Sequence, residues 1–194
     1  SGKTNVMVNL ALETGLNTVI AAPTNEILQQ TYRRIGEIAE TKGRKPYIRI
    51  INKSKKDPLL YSLPSEDREK YDQEITLITY SSIVIDTKKD ESLRLLNPDN
   101  VELVLTDEAH ESQTEKRFNA RDQFQNAIRI GFTGTAFNIF NYGELIHQIS
   151  ISEAIQEGML SGVSTRLITI NYDISDFELS GEDFKPEDIE RFIK

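Results

Sequence analysis

The sequence predicts an α/β domain with a mostly parallel central sheet flanked by helices. Two observations carry that prediction. Short apolar runs alternate with longer segments whose apolar residues recur at helical spacing. The polar clusters also fall just after the apolar runs, where a parallel sheet gathers its ligand site beside helix amino termini.

Lys3 to Leu12 reads as a helix with Val6, Met7, Leu10 and Ala11 among its apolar positions, stopped by Gly15. Thr18 to Ala22 (TVIAA) is a strand-type run closed by Pro23. Thr24 or Asn25 can cap the next helix, in which Ile27, Leu28, Thr31, Tyr32, Ile35, Ile38 and Ala39 recur up to Gly43. Tyr47 to Ile51 predicts a second strand, and the prolines and dense charge from Asn52 to Glu74 predict a surface excursion. Ile75 to Thr79 resumes the core, with Ser81 or Ser82 starting a short helix, and Ser92 to Leu96 reads as a helical turn before NPDN. Val101 to Leu105 (VELVL) is the next strand. A polar helix is expected from Glu115 to Ala127, offering Phe118 and Phe124 for packing, and Ile128 to Phe132 is a further strand before TGT. Ser152 is the expected cap of SEAIQEGML, with Glu153 in its first turn and Gly158 near its stop. Arg166 to Ile170 reads as a last strand and KPEDIERFIK as a short terminal helix.

Composition narrows the function classes. The chain has 194 residues, 38% hydrophobic and 28% charged, with no cysteine and two histidines. That suits one substantial core and is too short for two full-sized domains. Disulfides, thiolate zinc sites and cysteine nucleophiles are excluded. His110 and His147 are too few for a histidine-rich metal centre, and His147 in LIHQI reads as structural. No apolar stretch approaches the roughly 18 residues needed to cross a bilayer, and no basic-then-apolar leader opens the chain, so a cytoplasmic or other intracellular place is expected. The net charge is -8, but residues 171–194 hold eight acidic against three basic residues and so account for five of those charges. The remaining body is nearly balanced and leaves room for a local phosphate-binding groove.

Two polar clusters carry chemistry. Ser1-Gly2-Lys3-Thr4 has the form of the second half of a phosphate loop. Gly2 permits close approach of the backbone, Lys3 can sit by the outer phosphates, and the Thr4 hydroxyl can face magnesium, beside helix amides that favour anions. About a hundred residues later the buried-strand pattern VLT stops at Asp107 and Glu108. Nucleotide hydrolysis needs one carboxylate that holds magnesium and a second group that orients or deprotonates water. Consecutive residues beyond a strand end can point apart and divide those tasks, so Asp107 is assigned to magnesium and Glu108 to water. The competing reading of each cluster alone is a capped terminal helix and a solvated acidic loop.

The run Thr106-Asp107-Glu108-Ala109-His110 resembles the Walker B motif of superfamily 2 helicases and translocases in its DEAH spelling. Gly2-Lys3-Thr4 is similar to the end of that family's motif I, Ala22-Pro23-Thr24 with Leu28 to motif Ia, Ile78 to Ser82 to the next block, and Phe132 to Ala136 to motif III. The spelling GFTGTAF followed by ISEAIQEGML resembles the DNA-directed branch that includes restriction-enzyme motor subunits and repair-type helicases.

The resemblance implies a RecA-like P-loop NTPase domain over residues 1–170, with 171–194 as an acidic tail or the start of a connection to a second RecA-like motor domain. It implies ATP and Mg2+ as cofactors, with Lys3 and Thr4 serving phosphate and magnesium. It places Pro23, Thr24, Thr79 and Tyr80 near a single- or double-stranded nucleic acid, DNA favoured over RNA. It makes His110, Thr133 and Thr135 couple nucleotide state to strand contact. Pro23 and Thr24 can equally end a strand and cap a helix, and Thr79 and Tyr80 can simply pack. The front of the phosphate loop and the second motor domain would complete the ATP site, so the chain by itself is expected to have little activity. Two other functions remain: a nucleotide-dependent switch without translocation, which the same phosphate and magnesium residues would serve, and a degenerate domain kept for partner binding, suggested by the partial phosphate loop and the acidic tail.

Overall fold

The computed structural model describes residues 2–51, 70–88, 95–135, 142–161, 179–180 and 183–184. The chain divides into two compact units, Ser1–Leu145 and Ile146–Lys194. The expected boundary after residue 170, the strand at 166–170, the terminal helix and most of the excursion after Ile51 lie outside the described residues. So does the start of the expected helical turn at 92–96, of which Leu95 and Leu96 are not helical.

The first unit opens with α1 (Gly2–Thr14), followed by β1 (Thr18–Ala22), α2 (Asn25–Lys42) and β2 (Pro46–Ile51). Then come β3 (Gln73–Thr79), α3 (Tyr80–Thr87), β4 (Leu103–Thr106), α4 (Glu115–Asp122) and β5 (Ile128–Gly131). The five strands form one sheet in the order β2-β3-β1-β4-β5, and every pairing is parallel. β1 is buried along its whole length, as a central parallel strand covered on both faces must be.

Alternation along each strand divides the core between the two faces. Ile20, Ala22, Ile75, Leu77, Leu103 and Leu105 pack with Met7, Val8, Ala11 and Leu12 of α1 and Leu28, Ile35 and Ala39 of α2. Val19, Ala21, Ile78 and Val104 meet Tyr80 and Ile83 of α3, Ala120 of α4 and Phe124 on the opposite face. Each fully buried Leu or Ile contributes about 1.5–3 kcal/mol, so these two layers hold the sheet edge rigid enough to carry a site.

Helix ends follow local signals. The Thr24 hydroxyl accepts from the Ile27 backbone N–H at the start of α2, and Gly43 ends it with φ 65°. Thr79 caps α3 in the same way, its Oγ1 accepting from the Ser82 backbone N–H at 3.2 Å. Replacing Thr79 by Ala is expected to lower stability by about 1 kcal/mol through loss of that cap, read as a lower melting temperature. An unchanged melting temperature would mean that α3 does not need it.

α3 begins at Tyr80 behind the Thr79 cap, ahead of the expected Ser81 or Ser82, and two further helices differ more from the sequence expectation. α4 stops at Asp122 rather than Ala127, because this polar segment presents no continuous apolar stripe to hold further turns. Phe124 instead leaves the helix and enters the core at 1% exposure. In the second unit, α5 (Ile151–Gln156) is capped by Ser150, not Ser152. Ser150 and Glu153 exchange side-chain and backbone hydrogen bonds as a capping box, a pairing that Ser152 has no acidic partner to make. The second unit also holds two short antiparallel strands, β6 (Leu179–Ser180) and β7 (Asp183–Phe184). No helix among the described residues is long and apolar enough to cross a membrane.

Candidate functional site

Because the strands run parallel, their carboxyl ends share one edge. Ala22 lies opposite Thr79, Ala21 opposite Thr106, and Thr106 opposite Gly131. That register puts Pro23-Thr24, Thr79-Tyr80, Asp107-Glu108 and Phe132-Thr133 along a single rim, although more than a hundred positions separate the first from the last.

The rim is stitched together just past the strand ends. The Asp107 backbone N–H donates to Ala21 O at 2.8 Å, the Phe132 N–H to Thr106 O at 2.8 Å, and the Ala109 N–H to Phe132 O at 2.8 Å. The Glu108 N–H turns back to Asp107 Oδ1 at 3.0 Å, and the Tyr80 hydroxyl donates to the Asp107 carbonyl. Glu108 is held at φ 48°, the one non-glycine residue with positive φ among those described. Such a conformation costs a side chain about 1–2 kcal/mol and persists where the surroundings fix it.

Lys3 reaches this turn from the start of α1. Its Nζ lies 2.6 Å from Glu108 Oε1, with both side chains partly exposed. A Cβ placed on Gly134 would sit 3.7 Å from Lys3 Nζ, so the Thr133–Thr135 loop runs beside the ammonium. At Gly2 the space is open, with nothing within 4 Å of an added Cβ. Thr4 is buried in the first turn of α1. Asp107 is 5% exposed, and burial pushes its carboxyl above the ordinary value, opposed by the Glu108 N–H and the Lys3 charge.

On the other side of Glu108, Oε2 lies 3.6 Å from His110 Nδ1, and that nitrogen is 2.8 Å from Thr133 Oγ1. The Thr133 hydroxyl donates to Thr135 O at 3.0 Å and accepts from the Thr135 N–H at 3.0 Å. His110 Nδ1 and the Thr133 hydroxyl share a hydrogen bond whose direction follows the imidazole tautomer. The acidic turn and the TGT loop are therefore one hydrogen-bonded network.

The four residues grouped as strand contacts separate. Thr24 is exposed at the N-cap of α2 and Pro23 is half-buried beside it. Thr79 and Tyr80 are each 4% exposed, and their hydroxyls are occupied inside the protein. Sequence reasoning also missed the aromatic-cation layer behind the turn. The Arg117 guanidinium lies 5.3 Å from the Tyr80 ring centre, and that of Arg121 4.4 Å from Tyr142's. A Cβ on Gly131 would come within 2.7 Å of the Tyr142 ring and 2.9 Å of Ala109 Cβ, which explains the glycine in IRIGF. Burial raises the Tyr80 phenol, so it remains a donor throughout the neutral range.

Chemically, the turn offers a buried carboxylate at Asp107, a cation at Lys3 and a second carboxylate at Glu108 paired with that cation, and Thr4 follows Lys3 in the first turn of α1. Thr hydroxyl and Asp carboxylate suit magnesium, which keeps waters and substrate phosphates as its other ligands. Among the described residues no group of three or more His, Cys, Asp or Glu is placed to hold a metal ion.

Residues 1–138 match the protein family described as type III restriction enzyme, res subunit. No curated protein matches the chain. Among solved structures, a hypothetical ATP-dependent RNA helicase from Sulfolobus tokodaii is similar at 20% identity and a TM-score of 0.50, over 74% of this chain and 44% of that one. The Hef helicase domain of Pyrococcus furiosus aligns at 19% identity and a TM-score of 0.29, over 84% of this chain and 37% of that one. The first likeness shows the fold, and the chain spans less than half the length of either solved chain.

Proposed function

Because the chain belongs to the family described as type III restriction enzyme, res subunit, we propose that it is the first RecA-like motor domain of an ATP-dependent DNA helicase or translocase. The observation that carries this reading is the meeting of Lys3 with Glu108 at 2.6 Å beside the buried Asp107. A phosphate-binding cation, a magnesium carboxylate and a water-activating carboxylate are thereby gathered from segments 105 positions apart.

Thr4 and Asp107 would hold magnesium, which when bound screens the phosphate charge that develops during transfer. The amides of α1 and the Lys3 ammonium bind the phosphates of ATP. As Lys3 turns to phosphate it leaves Glu108, whose carboxylate is then free to orient and deprotonate the attacking water. His110, bridging Glu108 and Thr133, makes the state of that carboxylate felt in the TGT loop. Pro23, exposed Thr24 and the start of α2 offer a strand's phosphates a hydroxyl and helix amides, contacts that suit movement along arbitrary sequence. Thr79 and Tyr80 shape this rim from within.

DNA is favoured by the family's restriction-enzyme description and by the GFTGTAF and SEAIQEGML spellings. A second motor domain would close the ATP site from the other side. ATP turnover by the full-length protein is expected to rise at least about tenfold with single- or double-stranded DNA and little with RNA, since contacts released or strengthened by the strand act on the transition state. Equal stimulation by RNA would overturn the DNA assignment, and no turnover with either would overturn the motor.

A further inference from the structure

We propose that Tyr80 is a positioning residue: its hydroxyl latches the Asp107–Glu108 peptide in the orientation that gives Glu108 its positive φ and so aims the Glu108 carboxylate. This rests on the reading of Glu108 as the water-activating group and adds a device that sets its geometry.

The peptide between Asp107 and Glu108 has two polar groups, and each has one described partner. Its N–H is held by Asp107 Oδ1 at 3.0 Å, and its carbonyl by the Tyr80 hydroxyl. The units on either side are pinned by main-chain bonds, Asp107 N–H to Ala21 O and Ala109 N–H to Phe132 O, each 2.8 Å. A peptide plane that rotates alters ψ of the residue before it and φ of the residue after it. Turning this one over would carry Glu108 from φ 48° to the negative φ that side chains ordinarily adopt. The relaxed conformation is thus one peptide rotation away, and the Tyr80 hydroxyl opposes it.

Tyr80 is itself fixed well enough to serve. It is the first residue of α3, directly after the N-cap Thr79, and is 4% exposed. The Arg117 guanidinium lies 5.3 Å from its ring centre. The consequence falls on Glu108, whose two carboxylate oxygens stand 2.6 Å from Lys3 Nζ and 3.6 Å from His110 Nδ1. Both relationships depend on where the Glu108 backbone points its side chain. Because Tyr80 begins the helix that follows the β3 end of the rim, it also ties that part of the rim to the acidic turn.

Tyr80→Phe removes the hydroxyl while keeping the ring, its burial and its contact with Arg117. In the full-length protein, kcat for ATP is expected to fall about 10- to 100-fold, the scale of a displaced catalytic group. The affinity for single-stranded DNA should stay within about twofold and KM for ATP should not rise, since neither phosphates nor strand meet the phenol and a displaced Glu108 leaves Lys3 free for phosphate. A crystal structure of the variant is expected to show Glu108 at negative φ with its carboxylate away from Lys3. Retention of φ near 48° with unchanged kcat would overturn the proposal. Weakened strand affinity with unchanged kcat at saturating strand would also overturn it, by making Tyr80 a strand contact. If the parent and Glu108→Gln proteins turned over ATP equally, the assignment of Glu108 would fail instead, and φ of Glu108 in the Tyr80→Phe crystal would still decide the latch.

Discussion

Glu108→Gln in the full-length protein is expected to reduce ATP turnover by about 100- to 10,000-fold, the range for removing a positioned general base. Nucleotide affinity should be preserved or raised. Glu108 Oε1 stands 2.6 Å from the Lys3 ammonium, so its carboxylate and the phosphates of ATP would compete for the lysine. A neutral amide at position 108 gives Lys3 up more easily and leaves Asp107 and Thr4 in place. The signature is therefore a protein that binds ATP at least as tightly as its parent and does not hydrolyse it. Steady-state turnover and equilibrium binding measured on the same preparation would show it. Parental turnover in the variant would remove Glu108 from the chemistry.

Asp107→Asn is expected to have the opposite binding signature. Magnesium-dependent ATP affinity should fall, and turnover with it by on the order of 100-fold, because the charge that holds the cation is gone. The metal-free protein should nevertheless melt at a higher temperature at neutral pH. Asp107 is buried, and burial pushes its carboxyl above the ordinary value of 3.8. The folded protein then holds this proton more tightly than the unfolded chain. Between 3.8 and the raised value, stability therefore falls as pH rises. Above that window the charged carboxylate is a standing cost that Asn does not bear, and Asn can keep the bond to the Glu108 N–H. Melting curves across pH in chelator would test this, and a lower melting temperature for the variant at neutral pH would show that the charge stabilises the fold.

Most of the scaffold of this site is legible because it rests on local signals. Thr18–Ala22 is an uninterrupted apolar run, Thr24 is a good N-cap, and Gly43 adopts the left-handed conformation that glycine accepts without penalty. The abrupt change from VLT to Asp107-Glu108 marks a strand end wherever it occurs. What is not legible depends on distance. Tyr80 and Asp107 are 27 positions apart, and nothing in ITYSS says that its phenol points inward to a carbonyl rather than outward to a strand. The positive φ of Glu108 has no sequence mark either, since glutamate is not a left-handed residue by preference and is held there by its neighbours. The early end of α4 and the cap at Ser150 rather than Ser152 have a different cause: the residues after Asp122 bring no apolar stripe to extend the helix, and Glu153 stands three residues after Ser150, the spacing a capping box needs.

A crystal structure of the full-length protein with magnesium and a non-hydrolysable ATP analogue tests the proposed nucleotide site most directly. The expected result is a nucleotide whose outer phosphates are met by Lys3, with magnesium beside Thr4 and Asp107 and the Glu108 carboxylate released toward a water in line with the terminal phosphate. A nucleotide bound elsewhere, with Lys3 still 2.6 Å from Glu108, would contradict it.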